Sequence, residues 1–200
     1  MTPADHRSTP PRNSVEAFLH AHGADRIPHP GGTLLAHLVR VERLLADWGC
    51  DRDVRAAGLC HAAYGTDGFD RALLGLDRRD TLVELVGPRA EALVHLYASC
   101  DRAAVYPRLG VDEPPLFRDR FSGRHHTPPE EDLRAFLALT AANELDVLAH
   151  NADLARRYGP GLYGLFARTR HLLPPAAWRA CACLLGAEAP GPPGRGRPRE

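Results

Sequence analysis

The sequence predicts an all-α protein, a single helical bundle of six to eight helices. Two stretches carry that expectation. Between Thr33 and Trp48 the apolar residues Leu34, Leu38, Val41, Leu44, Leu45 and Trp48 recur at the helical period, with Gly49 closing the run. From Pro128 to about Leu154, three acids in the first turn are followed by Leu133, Phe136, Leu137, Leu139, Thr140, Leu145, Leu148 and Ala149. A proline early and acids at the start are the usual chemistry of a helix N-terminus, because that turn has free N–H groups and a positive dipole end.

The remaining elements follow in order. Asn13 or Ser14 caps a short helix carrying Val15, Phe18 and Leu19 and ending near Gly23. Pro28-His29-Pro30-Gly31-Gly32 reads as a loop. Asp51 or Asp53 opens a helix to about Tyr64, with Val54, Ala57, Gly58, Cys60 and His61 on a small-residue, close-packing face, and Gly65-Thr66-Asp67-Gly68 breaks it. A short helical segment is expected at Arg71 to Leu74, then helices from Asp77 to Val86 and from Arg89 to Val105. Leu116 to Gly123 is expected to form a small hairpin, and Gly159 to Leu173 and Pro175 to Leu185 two closing helices. Residues 1–12, with three prolines, and 186–200, rich in Pro, Gly and Arg, lack core-forming residues and read as disordered flanks of one domain at 13–185.

Composition narrows the function classes. The 200 residues carry 25 basic and 25 acidic side chains, so nothing draws the chain towards nucleic acid or an anionic membrane. All the basic residues are arginine. The absence of lysine excludes a Schiff-base or P-loop lysine, and together with abundant Ala, Pro and Gly it points to a high-GC bacterial coding sequence. No apolar run approaches a bilayer span, and residues 1–12 have no signal-peptide core, so a cytoplasmic location is expected. Cys50, Cys60, Cys100, Cys181 and Cys183 are odd in number with no CxxC spacing, and read as reduced thiols. Nucleophile-elbow, dinucleotide-binding and zinc-protease motifs are absent.

Chemistry-bearing residues fall on three helices. His37 lies on the second and His61 on the third. Asn143, Asp146 and His150 share one face of the long late helix, at i, i+3 and i+7. Imidazoles and carboxylates from several helices are the way a bundle builds a metal site, and such donors suit Zn, Mn or Fe. Spacing alone leaves a second reading open, a hydrogen-bonded structural His37–His61 pair. Tyr64, one turn after His61, is a candidate to orient a ligand or donate a proton, and Thr66 offers a hydroxyl or N–H to an anion. Arg124, with Arg118, Arg120, His125 and His126, makes a basic loop suited to phosphate. Asp67 reads as a turn residue or a pocket acid, and Glu144 as pointing off the site.

The order His37, His61 and a polar residue on a late helix resembles the HD-domain superfamily of metal-dependent phosphohydrolases. The stretch 57–67, Ala-Gly-Leu-Cys-His-Ala-Ala-Tyr-Gly-Thr-Asp, is similar to the segment ALLHDVVEDT of the SpoT-like guanosine tetraphosphate hydrolases. Residues 82–94 resemble that branch's following helix pair, and 139–145 its KLADRL helix, with Asn143 where the metal aspartate stands. The likeness covers roughly residues 33 to 151, and also resembles an uncharacterised bacterial HD-like family marked by His-x-x-Tyr-Gly-Thr. It implies a pocket at His37 and His61 with divalent metal. The departures are specific: the HD doublet reads His61-Ala62, the catalytic Glu-Asp pair reads Gly65-Thr66, and the distal aspartate is Asn143.

The expected function is accordingly a small-molecule enzyme acting on a phosphorylated or anionic metabolite at a non-standard metal site formed by His37 and His61 with Asn143 or Asp146. Two alternatives stand beside it. One is a non-catalytic ligand- or partner-binding protein; the other is metal-free acid–base chemistry by His61 and Tyr64. No nucleic-acid or membrane partner is expected.

Overall fold

Two side-chain caps start the helices at the centre of the molecule. In the computed structural model, which describes residues 12–112 and 114–186, the Thr33 hydroxyl accepts the Ala36 N–H and opens α2 (Leu34–Asp47). Asp51 accepts the Val54 N–H at 2.9 Å and opens α3 (Arg52–Cys60). Each satisfies an N–H that the helix itself leaves unpaired. Gly58 lets the two helices approach closely. A Cβ there would sit 2.3 Å from Leu45 Cδ1, so a larger residue forces Leu45 to move. This contact sets His37 of α2 opposite His61, which follows α3 as its C-cap.

Before α2 come α1 (Arg12–Ala21) and a two-residue hairpin, β1 (Pro28–His29) with β2 (Gly32–Thr33). After α3 come α4 (Arg79–Val86), α5 (Pro88–Ser99) and the one-turn α6 (Arg102–Val105). A second hairpin pairs β3 (Phe117–Arg118) with β4 (His125–His126). The chain ends in α7 (Glu130–Ala149), α8 (Ala152–Arg168) and α9 (Pro175–Gly186). The fold is all-α, with nine α-helices among the described residues and only these two hairpins and two isolated bridges as strand structure.

Helix α7 is apolar on nearly every side, and it is buried on nearly every side. It packs against α2, α3, α5, α8 and α9, and one core of buried side chains runs from Val15 to Leu185. Each fully buried Leu or Phe in it, such as Leu38, Leu45, Leu139 and Phe136, contributes about 1.5–3 kcal/mol.

Several boundaries differ from the sequence expectation. No helix forms at 71–74; a 3-10 turn at Leu76–Arg78 leads into α4 instead. The helix expected through Val105 stops at Ser99, where Cys100 is extended and bridges to Asp119, and Asp101 caps α6 through the Ala104 N–H. The long late helix divides at His150, because Asn151 accepts the Leu154 N–H and starts α8 afresh. The expected hairpin at 116–123 forms, but its second strand lies further on, at His125–His126. The flanks expected to be disordered, 1–12 and 186–200, lie almost wholly outside the described residues; of them only Arg12 and Gly186 are described, as the ends of α1 and α9. The five cysteines are free thiols, with Cys60, Cys100 and Cys181 buried; burial pushes each of those three up to about 12.

Candidate functional site

His37 and His61 meet in the interior. Their Nε2 atoms are 3.3 Å apart, and both side chains are essentially inaccessible to solvent. Asn143 of α7 joins them, with Oδ1 3.1 Å from His37 Nε2. On the opposite edge of its ring, His37 Nδ1 lies 2.6 Å from Asp146 Oδ2. Arg40, one turn along α2, closes on the same carboxylate through Nε at 2.6 Å and Nη2 at 2.9 Å. Asp146 is therefore an orienting group behind His37. It does not lie beside His61 and Asn143 as the ligand the sequence admitted.

Proton positions follow from these partners. Gly58 O can only accept, so His61 Nδ1, 2.8 Å away, carries the hydrogen. Burial first, then the neighbouring His37, Arg102 and His29, push His61 down to about 3 against the pull of Gly58 O, so the ring is neutral and Nε2 is a bare acceptor. Burial alone would raise Asp146, but His37 and Arg40 outweigh it and hold the carboxyl at about 2. Asp146 is thus ionised and accepts from His37 Nδ1–H. The Asn143 amide donates from Nδ2 to Glu144 Oε1 at 3.2 Å, which leaves Oδ1 facing His37. With His37 neutral, three lone-pair atoms converge: His37 Nε2, His61 Nε2 and Asn143 Oδ1. Acceptors that converge so closely need a hydrogen-bond donor or a cation between them.

A cleft of about 870 Å³ opens beside this cluster. His61, Asn143, Thr66 and Asp67 line it, joined by residues the sequence reading did not select: His29, Arg102, Tyr106 and Arg168. Glu144, expected to point away, also lines it and accepts Arg102 Nη1 at 2.9 Å. Arg102 reaches the Tyr97 hydroxyl as well, and its backbone N–H donates to Asp67, so Asp67 fixes the start of α6.

His29 stacks on His37, centroids 4.1 Å apart and planes 27° from parallel, and meets Phe69 edge-on. Burial, and then His37, push its pKa down to about 4; the Pro30 backbone pulls the other way without reaching hydrogen-bond geometry. Arg40 holds the hairpin that carries His29, donating to Pro30 O and Gly31 O at 3.1 and 3.2 Å. One guanidinium thus ties the His29 hairpin to the Asp146–His37 pair. Gly31 has φ 77°, and a Cβ there would lie within 2.8 Å of both His150 and Arg40, so glycine is needed for conformation and for room. His150 itself turns its Nδ1 to the Asp146 carbonyl and caps α7.

Other expected site residues lie elsewhere. Tyr64 is not on the cleft. Its hydroxyl donates to Glu91, which is held by Arg79, and burial with Glu91 raises its pKa. The reason is the break after α3: the turn at 61–65 sends Tyr64 towards α5. Arg124 is exposed on the second hairpin, away from the cleft, while Arg118 pairs with Asp101. Thr66 does reach the cleft wall, but its N–H is bonded to Phe69 O and is not free for an anion. Arg40 had a readable signal, since it lies three residues after His37 on the same helix face. Arg102 and Tyr106 had none, because the break at Cys100 that brings them in has no local signature.

Among the described residues no cluster of three or more His, Cys, Asp or Glu side chains could hold a metal, and the third donor beside the two imidazoles is an amide. No helix among them is long and apolar enough to cross a membrane. Residues 18–102 match the model of a domain of unknown function, DUF6817. The matched stretch holds His29, His37, Arg40 and His61, and stops before Asn143 and Asp146. No curated protein and no solved structure matches the chain.

Proposed function

We propose that the chain is a small-molecule enzyme working at the inner end of the cleft, where His37, His61 and Asn143 hold a divalent cation such as Zn, Mn or Fe. The observation that carries this reading is that His37 Nε2 lies 3.3 Å from His61 Nε2 and 3.1 Å from Asn143 Oδ1. Two donors each about 2.0–2.1 Å from one tetrahedral ion lie about 3.3 Å apart, so the spacing suits ligands of a shared ion. The resemblance to the HD-domain superfamily supports the same place, with Asn143 standing for an aspartate.

The chain's own residues have distinct tasks. His61 and Asn143 present bare acceptor atoms at the cleft wall. Asp146 fixes the His37 tautomer and raises the basicity of its Nε2, and Arg40 fixes Asp146. A bound divalent ion would supply Lewis acidity towards a substrate oxygen or an acidified water.

A second reading has its own observation. No carboxylate joins the three donors, and neutral donors hold a divalent ion less firmly than charged ones. A proton on His37, paired with Asp146, satisfies the same lone pairs and makes the cleft a metal-free binding site. The alternative in which Tyr64 shares chemistry with His61 gains no support from the placement of Tyr64.

Elemental mass spectrometry distinguishes the two readings. The cation reading expects near-stoichiometric metal in purified protein, or after incubation with Mn, Zn or Fe, and its loss in His61→Ala. Circular dichroism of that variant establishes that it folds. Absence of metal in the wild type under all these conditions overturns the cation reading.

A further inference from the structure

The cleft's chemistry narrows its occupant, on the reading that this cleft is the functional site. Its walls are largely carbon: Leu34, Phe69, Val147 and Leu148 on one part, Leu162 and Leu165 of α8 on another. Four side chains on it carry formal charge, and they balance, Arg102 and Arg168 against Asp67 and Glu144. Both arginines are engaged within the protein. Arg102 bonds Glu144 and the Tyr97 hydroxyl. Arg168 bonds the carbonyls of Leu109 and Tyr106, both at 2.6 Å. A phosphate or carboxylate entering here would lose its hydration without meeting net positive charge from the side chains.

The two polar atoms of lining residues that are unpaired among the described residues, the Tyr106 hydroxyl and His29 Nδ1, are shut off from solvent, so neither faces the open cleft and neither offsets its apolar character. The cleft volume lies within the ~300–1,000 Å³ range of small-molecule sites.

We infer that the cleft binds an uncharged, largely apolar small molecule. This replaces the phosphorylated or anionic substrate that the HD-domain resemblance implies.

Matched neutral and anionic probes test it: 1-naphthaleneacetamide against 1-naphthaleneacetate, and octanamide against octanoate, titrated calorimetrically at pH 7 into the whole protein. At least one amide is expected to bind about tenfold or more tighter than its acid, and inorganic phosphate and pyrophosphate to leave that binding unchanged. Gly161 of α8 lines the cleft, and a Cβ there meets nothing within 4 Å, so Gly161→Phe fills the cleft without a clash at its base. It is expected to abolish binding while thermal stability is kept. Equal or tighter binding of the acids, competition by phosphate, binding indifferent to Gly161→Phe, or binding of none of the probes overturns the inference. A bound cation would itself favour the acids, so the titrations are repeated after metal is removed with a chelator, and the cation reading then stands or falls separately.

Discussion

Replacing Asp146 by asparagine removes one charge and almost no volume, and it strikes the point where α2 and α7 are joined electrostatically. The carboxylate is 4% exposed and receives His37 Nδ1–H and two N–H groups of Arg40. Its partners hold it near 2, against an ordinary value of 3.8. At about 1.4 kcal/mol for each tenfold change, that difference represents about 2–3 kcal/mol of folding stability. Arg40 is left without its carboxylate in the variant, which adds to the loss, although at 25% exposure water recovers part of it. Asp146→Asn is therefore expected to cost about 2–4 kcal/mol at pH 7 in urea unfolding followed by circular dichroism. The sign with pH follows from the depressed value. The carboxylate's contribution is complete above 3.8 and is lost as pH falls through about 2. The gap between wild type and variant should be constant from pH 8 to about pH 5 and close between about pH 4 and pH 2. A gap under about 1 kcal/mol at pH 7, or one that persists unchanged to pH 2, would contradict the ion-pair account.

Further predictions concern individual contacts. Gly58→Ala drives a methyl into Leu45 at the α2–α3 contact and is expected to cost about 1–3 kcal/mol, with metal binding weakened as His61 is displaced; unchanged thermal stability would refute the packing. Tyr64→Phe is expected to cost about 1 kcal/mol through the lost Glu91 bond while leaving cleft binding untouched, because its ring is not on the cleft. Asn143→Asp adds an anion beside two imidazoles and is expected to tighten zinc binding by about tenfold, about 1.4 kcal/mol, measured by competition with a chelating dye; weaker binding would place the ion elsewhere.

The helices were legible where local chemistry announces them. Thr33 and Asp51 cap the elements the periodicity predicts, but α3 ends at Cys60, before the expected end near Tyr64 and the glycine-rich break at 65–68. The meeting of His37, Asn143 and Asp146 was legible in part, because i and i+3 on α7 fix a shared face. Their division of labour was not. That Arg40 takes both oxygens of Asp146, leaving Asn143 to face the imidazoles, depends on how α2 and α7 pack, which no periodicity encodes. The breaks at Cys100 and His150 escaped for a related reason. Neither has a proline or glycine at the break, and each is fixed by a capping side chain just beyond it, Asp101 or Asn151, that in sequence alone competes with many other polar residues. The cleft residues Arg102, Tyr106 and Arg168 depend on those breaks and were invisible with them.

The central claim is that His37 Nε2, His61 Nε2 and Asn143 Oδ1 surround one cation. Anomalous diffraction from crystals grown with zinc tests it most directly. The account predicts a single peak within about 2.0–2.3 Å of all three atoms, with His37 still bonded to Asp146. A peak elsewhere, or no peak between two imidazoles still 3.3 Å apart at full zinc saturation, would contradict it and leave the proton on His37 as the link between them.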